Sequence, residues 1–208
     1  MRATGWVSFT SYEGIAAQVA AAAEDPAMRG IALEIDSFGG EVAGVFDLAD
    51  AIRAARARKP VQAFVAEAAL SAGYALASQA DRIVVPRTGE VGSIGVVVMH
   101  ADWSAALAEG GVKVALIHAG ARKVDGNPFA PLPEEVRATL QAEVEGLRDL
   151  FAATVAAGRG ARLSAEAARA TEARVYRGAA AVAAGLADQV ADLRTAFAGF
   201  AAGLRVFR

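Results

Sequence analysis

Cysteine is absent from the 208 residues. That single absence removes disulfide staples, thiolate zinc sites, iron–sulfur ligation and cysteine nucleophiles, so the fold must stand on packing alone. Histidine is nearly absent too. With only His100 and His118 available, a multi-histidine metal centre has too few ligands; counting leaves carboxylate-held magnesium or calcium open, and the expectation is no metal and no cofactor. An excess of either charge is also missing, since 21 Lys+Arg stand against 23 Asp+Glu for a net charge of -2. Without a cationic field, no nucleic-acid partner is expected. No apolar run approaches the roughly 18 to 20 residues of a membrane helix; the longest uncharged stretches, such as Ala68–Ala80, fall short. Met1 to Gly14 lacks the apolar core of a signal peptide, so the expected location is the cytoplasm.

What is abundant is apolar surface. Hydrophobic residues make up 55% and charged residues 21%, which excludes a disordered chain and supplies one sizeable core, hence one expected domain over 1–208. About a quarter of the chain is alanine and arginine far outnumbers lysine, a bias that looks like a GC-rich genome and makes the departures from it more informative. Apolar strands alternate with alanine-rich helices, the pattern of an α/β protein with a largely parallel sheet flanked by helices. The reading in order is a helix from Ser11 or Tyr12 to Glu24, a strand 30–36, a helix 41–58 and a strand 61–66. A short turn 67–70 and a small helix 71–80 follow, then strands 82–86 and 93–100, a helix 101–109 and a strand 112–118. The loop 119–133 holds the densest turn chemistry, Asp125-Gly126-Asn127-Pro128 among it. A long helix from Pro133-Glu134 to about Ala157 comes next. Short helical and extended pieces close the chain, ending in a helical tail over 193–208.

Two turns could carry chemistry. Ser37-Phe38-Gly39-Gly40 joins a buried strand to a helix, and paired glycines let the backbone approach a ligand and present N–H groups as an oxyanion hole; taken alone, an ordinary tight turn is the commoner explanation. Leu70-Ser71-Ala72-Gly73-Tyr74 again meets a helix, where the Ser71 hydroxyl and the Ala72 N–H could serve a tetrahedral intermediate. Helix capping is the commoner role for such a serine. Of the other serines, Ser11 and Ser164 read as caps, Ser37 as a turn residue, Ser78 as helix interior, and Ser93 as a strand or turn residue lining a substrate groove beside Gly40.

A serine nucleophile needs a base, which leaves the two histidines and three lysines. Lys59 precedes a proline at a helix end and should stay solvated, Lys113 begins a strand, and Lys123 lies in the turn-rich loop. In a chain that writes almost every cation as arginine, which cannot deprotonate, a lysine in a structured loop is suggestive. Any lysine acting as a base near neutral pH needs surroundings that disfavour its ammonium form by about 4 kcal/mol.

Together the motifs form a recognisable series: Asp36-Ser37-Phe38-Gly39-Gly40, Ser71-Ala72-Gly73-Tyr74-Ala75-Leu76-Ala77-Ser78, Ala80-Asp81-Arg82-Ile83, Thr88-Gly89, Gly92-Ser93-Ile94-Gly95-Val96 and His118-Ala119-Gly120 through Lys123. This series resembles the signal peptide peptidase A family of serine peptidases, S49-type, from Ile15 to about Asp192. Gly120-Ala121-Arg122-Lys123-Val124-Asp125-Gly126-Asn127-Pro128 resembles its phage and prophage capsid-assembly branch. The resemblance implies a Clp protease/crotonase-like fold and a Ser-Lys dyad, with Ser71 as nucleophile, Lys123 as general base, and Gly39 and Ala72 as oxyanion donors. It also implies a ring-like homo-oligomer in which protomers can share the dyad, an inactive monomer, and substrates such as scaffold, portal or capsid proteins. The setting would be host cytoplasm or prohead.

Three departures stand out. Phe38 replaces a usual proline, Ala72 a usual glycine, and the strand and hairpin usual before the first helix are expected to be missing before Met1. His100 is the rival base, because it follows a strand after the serine as in Clp protease. An inactive prophage remnant or assembly factor, a signal-peptide or membrane-protein-digesting peptidase, and an acyl-CoA enzyme of the crotonase type are the competing functions.

Overall fold

A computed structural model describes residues 10–206, and side chains through 204. The N-terminal stretch read for a signal peptide lies, through residue 9, outside the described residues, as do the last two residues of the expected helical tail. The elements are α1 (Tyr12–Glu24), β1 (Ile31–Ser37), α2 (Val45–Ala55), β2 (Val61–Leu70), α3 (Ala72–Ala77), β3 (Arg82–Val85), β4 (Glu90–Gly92) and α4 (Ser104–Glu109). They continue with α5 (Glu134–Arg159), α6 (Ala165–Ala170), β5 (Val175–Arg177), α7 (Gly178–Ala183), β6 (Gln189–Val190) and α8 (Leu193–Val206).

The chain divides into two compact units, 10–95 with 149–206, and 96–148. The first holds a mostly parallel sheet in the order β5-β4-β2-β3-β6, with β1 also paired to β2; only β4 and β5 run antiparallel. β2 is the hub. β1 follows it along one side, β3 pairs with its first half and β4 with its last three residues. Val61, Ala63, Val65 and Ala69 of β2 are buried with Leu48 and Ile52 of α2, Tyr74 of α3, and Phe151 and Val155 of α5. On the other face of β2, Phe64 meets Phe197 and Phe200 of α8 edge-on. Burying a Val, Leu or Ile side chain contributes about 1.5 to 3 kcal/mol, so alanine between larger residues keeps the layers close without losing the core.

A buried charge cluster joins the C-terminal end of α5 to the sheet. The Arg159 side chain is fully buried and grips Asp188 by two bonds of 2.8 and 2.9 Å, while donating to the Gly185 carbonyl at 3.0 and 2.9 Å. The Ile83 N–H donates to the same carboxylate at 2.7 Å and Arg162 adds a bond of 3.1 Å. Burial alone would raise the Asp188 carboxyl; the Arg159 guanidinium, the Ile83 amide and the field of both arginines outweigh it and hold it below the usual range.

Several boundaries differ from the sequence reading. α2 begins at Val45 rather than at 41, because Gly44 turns the chain at φ +84 before the helix can start. β2 runs through 67–70, where a turn was expected: Glu67 points out to solvent and accepts from the Thr88 hydroxyl at 3.0 Å, so its charge does not interrupt the strand. The expected strands 93–100 and 112–118 are not strands. Both are irregular segments with no ladder partner among the described residues, and the strand in this region is instead β4, pairing Glu90–Gly92 with β2. Lys59, half-buried, does more than suit the helix end: its ammonium donates to the carbonyls of Ala22, at 2.6 Å, and Asp25, closing the end of α1.

The second unit, 96–148, contains α4, the turn-rich loop 119–133 and α5 as far as residue 148. In its irregular segments Val97, Met99 and Ile117 are almost wholly exposed, at 90%, 86% and 101%. No described helix is long and apolar enough to cross a membrane.

Candidate active site

Adjacent parallel strands end at the same level, so the turns that follow them become neighbours. β1 and β2 do this with a register shift between Ile35 and Ser37, where β2 carries two more residues than β1 and Ser37 comes opposite Ala69. Bulges of this kind re-aim the chain beside functional sites. As a result Ser37-Phe38-Gly39-Gly40 and Leu70-Ser71-Ala72 lie side by side.

Ser71 occupies the point where β2 becomes α3. Its φ of +50 and ψ of -122 are far from the extended conformation of an ordinary N-cap, and its hydroxyl makes no capping bond. The backbone does the work instead: the Ser71 carbonyl accepts the N–H groups of Tyr74 and Ala75 at 2.9 and 3.0 Å, and the Ser71 N–H donates to the Gly92 carbonyl at 3.0 Å. True caps occur elsewhere. Ser11 and Ser164 accept from the N–H groups of Gly14 and Ala167 at 3.0 and 3.1 Å, as their positions suggested. Ser78, expected inside a helix, closes α3 and donates to the Ala75 carbonyl at 2.8 Å.

Gly39 packs directly against this elbow. A Cβ there would lie 3.1 Å from the Ser71 Cβ and 3.4 Å from its Oγ, and the backbone sits at φ +140, where side chains are strained. Gly73 allows the same closeness from the α3 side, since a Cβ on it would stand 3.0 Å from the Ser37 Cβ. Gly40 faces Tyr12, whose hydroxyl donates to the Glu41 carbonyl at 2.8 Å. Burial, then the charge of Glu41, pushes the Tyr12 phenol up. A cavity of about 1170 Å³ lies between α1 and β1 and reaches Gly39, Gly40 and Ala72. Phe38 is 78% exposed at the rim of the turn.

Ser93 is held one residue beyond the carbonyl that anchors Ser71. Its N–H donates to the Arg174 carbonyl at 3.0 Å, its φ is +54, and Gly92 before it approaches Arg174 so closely that a Cβ would meet that carbonyl at 2.6 Å. The first unit therefore brings together Gly39, Gly40, Ser71, Ala72 and Ser93. Two participants in the local geometry were not singled out by the sequence as site residues: the Ser37 hydroxyl, which bonds Gly39, and Tyr12.

Lys123 and His100 belong to the second unit. Lys123 is exposed in the turn 121–126, where its N–H donates to the Gly120 carbonyl at 3.2 Å. Its neighbour Arg122 pairs with Asp125 at 2.7 Å and with Glu135, pinning that turn to the start of α5. His100 is half-buried, and its Nε2–H donates to the Asn127 carbonyl at 3.0 Å. The nearby Asp102 accepts from the Ser104 N–H at 2.8 Å; bonds from Ser104, with a smaller contribution from the His100 charge, hold its carboxyl below the usual range. The His118 Nδ1–H donates to the Gly120 carbonyl at 3.0 Å, beside the loop, although the strand expected to end at this residue does not form. Among the described residues no cluster of three or more His, Asp or Glu is arranged to hold a metal.

The model of peptidase family S49 matches residues 53–206. Capsid assembly protease C of Escherichia phage lambda is 46% identical over 183 residues, covering 88% of this chain and 41% of that protein. The head-tail preconnector protein GP5 of Enterobacteria phage P21 is 43% identical over 195 residues, covering 94% of this chain and 38% of its own length. A putative signal peptide peptidase SppA of Enterococcus faecium is 33% identical over 171 residues, covering 80% of this chain and 48% of that one. The chain thus spans less than half of each of these relatives. The matched span takes in Ser71, Ser93 and the Lys123 loop, and the mostly parallel sheet flanked by helices is of the Clp protease/crotonase type: the chain belongs to peptidase family S49.

Proposed function

We propose that this chain is a serine endopeptidase with a Ser71–Lys123 dyad, acting on capsid-assembly proteins such as scaffold or portal in the host cytoplasm or prohead. The observation that carries the reading is the backbone of Ser71, a non-glycine residue held at positive φ with a hydroxyl that caps nothing. Strain of this sort persists where the surroundings enforce it, and it is the device that lifts a nucleophile out of a strand-to-helix turn.

In the reaction, the uncharged Lys123 amine takes the Ser71 hydroxyl proton as Oγ attacks the scissile carbonyl. The Gly39 and Ala72 N–H groups receive the oxyanion, and the lysine ammonium returns its proton to the departing amine. Water then hydrolyses the acyl-enzyme with the same amine as base. A lysine acts as a base only where its surroundings disfavour the ammonium form, and Lys123 is exposed in the chain. The reading therefore requires Lys123 to become dry beside a Ser71 hydroxyl in a ring-like homo-oligomer, from its own chain or a neighbour's. The capsid-assembly setting rests on the names and identities of the two phage relatives.

The test is cleavage of a phage scaffold or portal protein by wild type, Ser71→Ala, Lys123→Ala and His100→Ala. Loss in the first two variants with folding retained supports the dyad. Loss in His100→Ala with survival of Lys123→Ala moves the base to His100, and no cleavage by the wild type at any concentration favours an inactive assembly factor.

A further inference from the structure

We infer that Ser37 is a positioning residue for the oxyanion turn, its hydroxyl holding the Gly39 amide until substrate takes it; this rests on the peptidase reading above. The Ser37 Oγ accepts the Gly39 N–H at 3.3 Å and donates to the Gly39 carbonyl at 3.3 Å. One hydroxyl carries a donor and two acceptor sites, so it can engage the N–H and the carbonyl of one residue, on the two peptide links that flank its Cα, at once. These bonds tie down a residue that nothing else in its side chain can hold, since Gly39 at φ +140 has free access to much of backbone space. Both are long for hydrogen bonds and correspondingly weak. That weakness suits the role: a developing oxyanion, being charged, takes the amide with a shorter and stronger bond than a neutral hydroxyl does.

Ser37 is also placed to act on both sides of the site. Its Cβ, Oγ and carbonyl oxygen lie 3.0, 3.2 and 3.2 Å from where a Gly73 Cβ would stand, so the same residue sets the gap between the Gly39 turn and the start of α3. The Cβ contact survives in alanine and the hydroxyl does not, so Ser37→Ala isolates the polar role from the packing role.

The experiment measures peptide hydrolysis and peptidyl boronate affinity for wild type, Ser37→Ala, Ser37→Thr and Ser71→Ala, together with hydrogen exchange at the Gly39 amide. A boronate forms a tetrahedral adduct on the serine oxygen and so reports the oxyanion geometry. For Ser37→Ala, kcat should fall about tenfold, less than the loss of an oxyanion donor itself. KM should stay within about twofold, boronate affinity should fall in parallel with kcat, Gly39 exchange should quicken, and threonine should restore most of the loss. Unchanged kcat in Ser37→Ala, or a fall in kcat with boronate affinity and Gly39 exchange unchanged, overturns the proposal. Absence of any Ser71-dependent turnover in the wild type overturns the peptidase reading and this proposal with it, an outcome the Ser71→Ala control separates from the others.

Discussion

Ser71 adopts a conformation that glycine reaches freely and serine does not. Replacing the hydroxyl in two ways therefore separates chemistry from strain. Ser71→Ala and Ser71→Gly should both lack hydrolysis, yet Ser71→Gly should be the more stable of the two by about 1 kcal/mol, because only alanine retains the strained backbone. Chemical denaturation of the pair checks this. Gly39→Ala is expected to lose about 10² in kcat, since the new methyl would press on the Ser71 side chain at 3.1 to 3.4 Å in a backbone conformation alanine resists. The residues themselves were largely legible: Ser71, Gly39 and Ala72 stand in adjacent turns as the motifs implied. What no residue type reveals is that Ser71 leaves its helix uncapped, because that depends on the Gly92 carbonyl reached through β4, far along the chain.

At the scale of elements, alternation of apolar strands with alanine-rich helices was readable because each period is local. Their ends were not. β2 passes through Glu67, a residue that reads as a turn until Thr88 and solvent are seen to accommodate it. The segments 93–100 and 112–118 have strand-like composition, but a strand exists only with a partner, and pairing is not a local property. The Arg159–Asp188 cluster was equally invisible, since its members come from distant positions. Asp188→Asn should cost about 3 kcal/mol at pH 7, because it strips the carboxylate from a fully buried guanidinium. The pH dependence follows from the sign of the shift. The Asp188 carboxyl lies below its ordinary 3.8 in the folded protein, so its contribution is complete above about pH 4 and is lost as the pH falls through the lowered value. Acid titration of stability should therefore show a steep loss below pH 4 in the wild type and a shallower one in Asp188→Asn.

For the whole molecule, the α/β class and the mostly parallel sheet follow from sequence pattern, whereas the homo-oligomer is part of the proposal. Val97, Met99 and Ile117 are nearly fully exposed apolar side chains within one unit of the chain. Contiguous apolar patches mark interaction sites while single exposed side chains are ordinary, so these three residues bear on assembly only through the proposed homo-oligomer. If the homo-oligomer is the active form, specific activity should fall on dilution, and Ile117→Asp should shift sedimentation toward the monomer while lowering activity; activity strictly proportional to concentration would contradict it. The central claim is a hydroxyl made nucleophilic by an amine. Its most direct test is mass spectrometry of the assembled protein after treatment with a fluorophosphonate: a single adduct on Ser71 that disappears in Lys123→Ala is the predicted result. An unlabelled Ser71, or labelling that is indifferent to Lys123, would contradict it.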